Sequence, residues 1–460
     1  MNPFYNPIFI LRVLKSYLFD ISRLKRLNNE KLRKYQDKRL RKMVKFAYTV
    51  PLYYDKYKKA GVHPDDIKGI RDITKLPIVT KNDFQKYYPD GIISPKVNKN
   101  KLIPISTSGT TGKSLTIYVD MFDIVFGFFG GIRSLVEHGI SWRKDKLTII
   151  ADFAPHTIES GYVYRGINPR LSSTFFYKNI QWLNTNDPPE KVIKEINKFK
   201  PDFIGGYVGM LGHLALLKGK GHGKNISPRA IGSTGAPLTK TIKDLVEKTF
   251  NAPVFETYGS TESGPIAYHC KKNKFHIYSD YVHLEFLKDG KPIKPGEPGK
   301  LVVTKLYSHG TPIIRYDAIN DIVIPSNEKC DCGLSGNLIE KIFGRDDISI
   351  YTKDGKIVLP SSFGEIFSKI LYDLKTTKLK DTRVIQHNLK KIEIQIVIDE
   401  KLRDIGPSVE EIFIVLKRGF REKLGQNVEI ITKEVKKIDK QKPRIISKVD
   451  QNKLKITGYA

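Results

Sequence analysis

Cysteine is scarce, three residues in 460, which is too few for a secreted scaffold stapled by disulfides. Long hydrophobic runs are missing as well. The apolar stretch near the start, Pro7 to Leu14, is interrupted by Arg12 and falls far short of the ~20 residues that cross a bilayer. No small-residue cleavage site follows it, so a soluble cytoplasmic protein is expected. Acidic residues are under-represented: 49 Asp and Glu stand against 79 Lys and Arg, a formal charge of +30. Such an excess attracts nucleic acid, anionic membrane or polyanionic ligands. The bases are scattered from end to end without a tract interleaved with stacking aromatics, so no nucleic-acid partner is expected. Repeats at solenoid spacing and low-complexity linkers are absent too. What remains is an ordinary globular chain, 40% apolar, too long for one core and therefore expected to divide into domains. Monomer and homodimer both fit this composition.

The most informative stretch present is Ser106, Thr107, Ser108, Gly109, Thr110, Thr111, Gly112 and Lys113, which follows a strand-like run from Leu102 to Ile105. Hydroxyls supply hydrogen bonds, and the glycines let the backbone approach an anion so that successive N–H groups converge on phosphate oxygens. Lys113 adds a mobile positive charge. The usual P-loop is excluded, because Thr107 stands where that motif needs its first glycine. A different nucleotide fold is indicated.

Apolar residues Ile8, Leu11, Leu14, Leu18 and Ile21 share one face of a helix expected to pack on the rest of the protein. The alternative is peripheral contact with a membrane, the helix lying in the interface with Arg23, Lys25 and Arg26 at the headgroups. Residues 28–61 read as a second helical element with Leu32, Tyr35, Met43, Val44 and Ala47 near helical spacing and Pro51 opening a break, so residues 1–61 form a helical apron. Further on, Leu147 to Ala151, Phe203 to Gly205, Ala230 to Ser233 and Val254 to Tyr258 alternate with helical stretches, as in parallel sheet covered by helices. Closer strands with turns at Asp289-Gly290 and Pro295-Gly296 mark a small β-rich subdomain over 281–343. After Gly344 come a hairpin at Asp354-Gly355, strands near Ile392 to Ile398 and Val428 to Ile431, and a helix from about Val409 to Lys423. The expected class is α/β, with a large domain over 1–343 and a small α+β domain over 344–460.

Three more segments accompany the hydroxyl-rich loop: Ser233 to Leu238 (STGAPL), Thr257 to Gly264 (TYGSTESG) and Gly344 to Asp347 (GRDD). In this order and at these intervals they resemble the adenylate-forming superfamily of acyl-CoA synthetases over nearly the whole chain. Within it the match is to the phenylacetate-CoA ligase branch, with its capsular-polysaccharide-type members and the synthetases that adenylylate a deazaflavin coenzyme. The resemblance implies an enzyme that uses ATP and magnesium to turn a carboxylic acid into an acyl-adenylate, releases pyrophosphate, and passes the acyl group to the thiol of coenzyme A. Holding two anions together requires positive charge and a cation. By resemblance Ser106 to Lys113 wrap the β- and γ-phosphates, Gly235, Ala236 and Pro237 border the adenine, and Tyr258, next to Gly259, lays its ring against it. Thr261 donates to a phosphate, Glu262 holds magnesium, and Arg345 contacts ribose or phosphate. Asp347 matches the hinge on which the C-terminal domain turns as a lid, and Lys442 bridges the carboxylate and the α-phosphate.

Two departures stand out. In Pro312 to Asp321 the ribose-binding aspartate lies one residue late, so Asp321 requires a small insertion and Asn320 competes for the role. Gln441 replaces a glycine beside Lys442, and Lys440 is a second candidate lysine. Two other outcomes therefore stay open: an adenylyltransferase that stops after nucleotidyl transfer, and a catalytically retired binding protein of polysaccharide assembly. The segments Phe126 to Gly131 and Gly205 to Gly209 offer glycines and aromatics for an acyl pocket.

All three cysteines, Cys270, Cys330 and Cys332, fall in one interval with His276. Thiolate and imidazole favour zinc, and a Cys3His tetrahedron would be structural, because the chemistry demands no open coordination position. His269 and His283 are alternative fourth ligands.

Overall fold

The computed structural model describes residues 3–107, 115–161, 178–317, 319–345, 349–358, 360–376, 378–439, 444–450, 454 and 457–459. Helix α1 (Pro7–Asp20) begins at Asn6, whose side chain accepts from the Ile8 amide at 2.9 Å, satisfying one of the free N–H groups of a helix start. It buries the stripe Phe9, Val13 and Tyr17 against the main core. The indole of Trp142 donates to the Tyr17 hydroxyl at 3.1 Å. Arg133 holds the end of the helix, donating to the Asp20 carbonyl at 2.6 Å and pairing with Asp280 at 2.8 Å. The stripe expected to pack instead faces outward: Ile8, Leu11, Leu14 and Leu18 are 78, 66, 50 and 66% exposed. Both stripes are apolar, and the one with two aromatics buries more area and gives Tyr17 a polar partner.

Next comes α2 (Asn29–Ala47), followed by α3 (Pro51–Lys59). Pro51 therefore starts a helix as well as ending one. At the first helical position its missing N–H costs nothing and its fixed φ already suits the helix.

Strands β1 (Ile103–Ser106) and β2 (Thr116–Val119) pair antiparallel on either side of the hydroxyl-rich loop. They lead into α4 (Met121–Glu137). Strands β3 (Leu147–Ala151), β4 (Ile180–Asn184), β5 (Phe203–Tyr207), β6 (Ala230–Thr234) and β7 (Val254–Ser260) run parallel in the spatial order β4-β3-β5-β6-β7. The crossovers carry α5 (Pro189–Phe199), α6 (Val208–Gly219) and α7 (Lys240–Phe250). Ile193, Ile196, Ile204, Leu211, Leu214, Ile231 and Val246 join these helices to the sheet in one cluster. Each such buried side chain contributes roughly 1.5–3 kcal/mol relative to exposure.

At β7 the sheet changes hand. β7 pairs antiparallel with β8 (Gly264–His269), and the sheet continues through β9 (Phe275–Ile277). The β-rich interval then supplies β10 (Val282–Lys288), β11 (Lys291–Pro292), β12 (Gly299–Lys305), β13 (Asp321–Ser326) and β14 (Leu338–Arg345). Their order, β9-β14-β13-β12-β10-β11, makes one twelve-stranded sheet with the parallel half.

Beyond Ser349 the chain builds separate sheets. β15 (Ile350–Tyr351) and β16 (Lys356–Val358) form the hairpin at Asp354-Gly355, and α8 (Pro360–Tyr372) follows. β17 (Leu379–Asn388), β18 (Lys391–Ile398), β19 (Glu429–Glu434) and β20 (Ile445–Ser447) form a four-stranded sheet in the order β19-β18-β17-β20. Helix α9 (Val409–Leu424) covers it, started by a reciprocal Ser408–Glu411 cap of the kind that satisfies two amides at once. Val384, Ile394, Leu416 and Phe420 belong to its own core. No described helix is long and apolar enough to cross a membrane.

Candidate active site

A cavity of about 1690 Å³ opens beyond the C-terminal ends of β5, β6 and β7, where the sheet switches from parallel to antiparallel. Open α/β sheets bind ligands outside the carboxyl ends of their parallel strands. Gly235 follows β6 with φ +83°, and a Cβ on it would stand 2.3 Å from the ring of Tyr207. Only glycine fits both the conformation and the approach. Ala236 and Pro237 continue along the same wall. Tyr258, at the end of β7, donates its hydroxyl to the carboxylate of Asp321. Asp321 begins β13 directly opposite Arg345 on β14, and both line the cavity. Asn320 just before it has φ +59°, a left-handed conformation that asparagine tolerates.

Gly259, Thr261 and Glu262 line the cavity beside Tyr258. Glu262 is 8% exposed. Burial pushes its carboxyl above the usual range, and the Tyr316 hydroxyl donates to it at 3.3 Å. Its own amide, the Ser260 hydroxyl and the charge of Arg345 offset part of that burial, and a cation beside a desolvated carboxylate would offset the rest. Ser106 and Thr107 reach the cavity and pin the mouth of the hydroxyl-rich loop: Ser106 Oγ lies 2.9 Å from Thr116 Oγ1, and Thr107 Oγ1 accepts from the Leu115 amide at 3.0 Å. Ser108, Gly109, Thr110, Thr111, Gly112, Lys113, Asp347, Lys440, Gln441 and Lys442 lie outside the described residues.

The opposite wall is α4, which presents Asp123, Ile124, Gly127, Phe128 and Gly131 to the cavity. Gly130 packs instead on Pro265, where a Cβ would come within 2.9 Å of the ring. Phe126 stacks on Tyr281 at 4.2 Å. Sequence reasoning missed two charged groups here. Lys305, the last residue of β12, is 4% exposed, and its ammonium lies 4.6 Å from the centre of the Tyr307 ring. Burial lowers its pKa, while Asp123 and Asp120 raise it. Asp123 Oδ1 is buried without a hydrogen-bond partner. Asp120 is pushed up to about 7 by burial and by Asp123. His309, near both carboxylates, already meets the Arg12 guanidinium at 2.8 Å.

Glu256 was missed as well. It lines the cavity, is pushed up to about 7 by burial, and accepts from the Leu238 amide at 3.1 Å. The period of two along β7 puts it on the same side as Tyr258, so the signal was present.

Cys270, after β8, His276 on β9, and Cys330 and Cys332, before β14, converge with their ligand atoms within 4.8 Å of one another. The Cys270 and Cys330 sulfurs are 3.7 Å apart, and Cys332 Sγ is 3.2 Å from His276 Nε2. Zinc–sulfur bonds of ~2.3 Å in a tetrahedron give a sulfur–sulfur edge of ~3.8 Å. Burial holds His276 down to about 4 and pushes Cys332 up to about 12, so the imidazole is a neutral donor and the crowded thiols lack a positive charge. The donor set fits zinc. His269 is occupied elsewhere, accepting from the Glu256 amide at 3.2 Å, and His283 is not among the four residues that converge.

No family model matches the chain. Phenylacetate-coenzyme A ligase of Escherichia coli (strain K12) is 29% identical over 350 residues, which cover 73% of this chain and 76% of the relative. Protein CapK of Staphylococcus aureus is 23% identical over 390 residues, 84% of this chain and 82% of CapK. Among solved structures, 2-hydroxyisobutyryl-CoA ligase in the postadenylation state in complex with R3-HIB-AMP superposes with TM-score 0.71 at 18% identity, covering 91% of this chain and 90% of that one. The chain is similar in sequence to phenylacetate-coenzyme A ligases and to CapK, and it shares the fold of 2-hydroxyisobutyryl-CoA ligase.

Proposed function

We propose that the protein is an ATP-dependent, AMP-forming acid–thiol ligase. A carboxylate oxygen of the acid attacks the α-phosphorus of ATP and pyrophosphate leaves; the thiol of coenzyme A then attacks the acyl carbon and AMP leaves. The observation that carries this reading is that one cavity is lined jointly by Gly235 to Pro237, Tyr258 to Glu262, Asp321 and Arg345 on one side and by the glycine-notched face of α4 on the other. Its sequence relatives include four phenylacetate-coenzyme A ligases.

In this reading Tyr258 presents its ring to the adenine while its hydroxyl orients Asp321 toward the ribose. Arg345 supplies positive charge to ribose or phosphate, and Thr261 donates to a phosphate. Glu262 would hold magnesium, which when bound neutralises charge on the departing pyrophosphate. Residues 1–343 form the large domain and 344–460 the lid; Asp347 is the hinge, and Lys442 approaches the carboxylate and α-phosphate during adenylation. Cys270, His276, Cys330 and Cys332 would hold a structural zinc that ties β8 and β9 to the start of β14, the strand ending in Arg345. On the α4 wall, Lys305 and Asp123 favour an acid carrying a polar group, such as a hydroxyl, at the end away from the reacting carboxylate. Such a group accepts from one and donates to the other.

The test is a panel of plain and hydroxylated carboxylic acids assayed for pyrophosphate release with and without coenzyme A. Acid-dependent release with coenzyme A consumed supports the ligase. Release with no coenzyme A consumed and a stable adenylylated product would make the protein an adenylyltransferase. No release with any acid, from protein that binds ATP, would point to the retired binding protein.

A further inference from the structure

Twelve large hydrophobic side chains are strongly exposed among the described residues, and seven of them fall in the first nineteen positions: Tyr5, Ile8, Ile10, Leu11, Leu14, Leu18 and Phe19. The other five are dispersed singly over the remaining chain, as on any soluble protein. Apolar exposure concentrated on one helix marks an interaction surface. The helix is not a loose tail. Its opposite stripe is packed through Phe9, Val13 and Tyr17, and its end is fixed by Arg133 and by an ion pair from Arg23 to Asp280 at 3.1 Å. The outward face is therefore held in place by the fold.

The charge around this face identifies what covers it. Residues 1–26, which hold α1 and the turn after it, contain five lysines and arginines against one acidic residue, Asp20. Exposed Lys15 lies on α1 itself, with exposed Lys25 and Arg26 just beyond its end. A second copy of the chain seated on the same face would bring two such positive surfaces together, at an electrostatic cost. An anionic bilayer offers acyl chains to the leucines and isoleucines and phosphate to the bases. With fourteen residues, α1 is too short to cross the bilayer.

We infer that α1 is an interfacial membrane anchor: it lies in the plane of an anionic lipid surface with Ile8, Leu11, Leu14 and Leu18 sunk at the acyl boundary and the neighbouring lysines and arginines at the headgroups. The anchor is independent of the chemistry assigned to the cavity and holds equally for a ligase, an adenylyltransferase or a binding protein.

The test is co-sedimentation of the full chain with phosphatidylcholine vesicles that contain or lack phosphatidylglycerol, at low and high salt. The protein is expected to pellet with phosphatidylglycerol vesicles, weakly with phosphatidylcholine alone, and less at high salt. Leu11→Glu/Leu18→Glu lowers the partition coefficient by about tenfold or more, because two charges enter the apolar contact, and leaves the melting temperature unchanged. Ile8→Ser/Leu14→Ser serves as a milder pair if the charged one melts early, and Ile414→Glu, far along the chain, is the control expected to bind as the parent does. Protein that stays in the supernatant with phosphatidylglycerol vesicles overturns the inference, as does undiminished binding by both helix variants. A dimer in sedimentation velocity that these variants convert to monomer would assign the face to a second copy instead.

Discussion

The two walls of the cavity are built in different ways. The wall assigned by proposal to the nucleotide is made of strand ends and the turns that follow them: Gly235 after β6, Tyr258 at the end of β7, Asp321 and Arg345 paired across β13 and β14. Tyr258, Asp321 and Arg345 sit in paired strands, and Gly235 is required by the ring of Tyr207 behind it. The α4 wall is made of side chains from elements remote in sequence: Asp123 from a helix start, Lys305 from the end of β12, and Pro265 and Tyr307 on the same lining. Groups at strand ends are fixed by the sheet, whereas packed side chains can be exchanged without disturbing it.

Four substitutions test that division. The largest effect is expected of Glu262→Gln, which should slow pyrophosphate release by about 100-fold or more at saturating acid, because an amide cannot balance a cation where charge develops. An unchanged rate at limiting magnesium removes Glu262 from that role. On the other wall, Lys305→Met keeps the stem and deletes the charge. It should lower kcat/KM for an acid with a distal hydroxyl about tenfold, leave a plain acid little changed, and leave KM for ATP as it was. A rise in KM for ATP would show that the walls are not separate.

Cys332→Ser should lose the zinc, found as one per chain by elemental analysis of the parent, and lower Tm by ~5 °C or more. It should weaken ATP binding more than acid binding, since the metal site borders β14. A metal-free parent with the same Tm would end that assignment. The smallest effect is a pH dependence. Glu256 has its pKa raised by burial to about 7, so on raising the pH the unfolded chain loses this proton first. Stability falls between the ordinary carboxyl pKa and about 7 and levels off above. Glu256→Gln should therefore gain Tm relative to the parent across that window and hold a constant advantage at higher pH; a difference independent of pH would contradict it.

That Tyr258 to Glu262 and Gly235 to Pro237 belong to one site was legible in the sequence, because they are short consecutive runs, and both line the cavity. Glu256 was also legible through the alternation of β7, and was passed over. The α4 wall was not, since nothing in the chain says that Lys305 and Asp123 meet until β12 and α4 are packed together. The cysteine group lay between these cases. Its members could be counted, but the choice of His276 over His269 and His283 needed the pairing of β9 with β14 that sets His276 opposite Leu338. Four of the five parallel strands were readable from their apolar runs, and β4, with Gln181 and Asn184 in a half-buried edge strand, was not. The face that α1 buries was not, because two apolar stripes competed and the aromatic content of one decided between them.

In the proposed reaction the acid is activated by transfer of its own oxygen to the α-phosphorus of ATP. It is tested most directly by supplying the turned-over acid labelled with oxygen-18 in its carboxylate, together with ATP and coenzyme A, and weighing the AMP by mass spectrometry. The account predicts that each AMP carries one labelled oxygen and that acyl-coenzyme A accumulates in equal amount. Unlabelled AMP, or ADP and phosphate in its place, would contradict it.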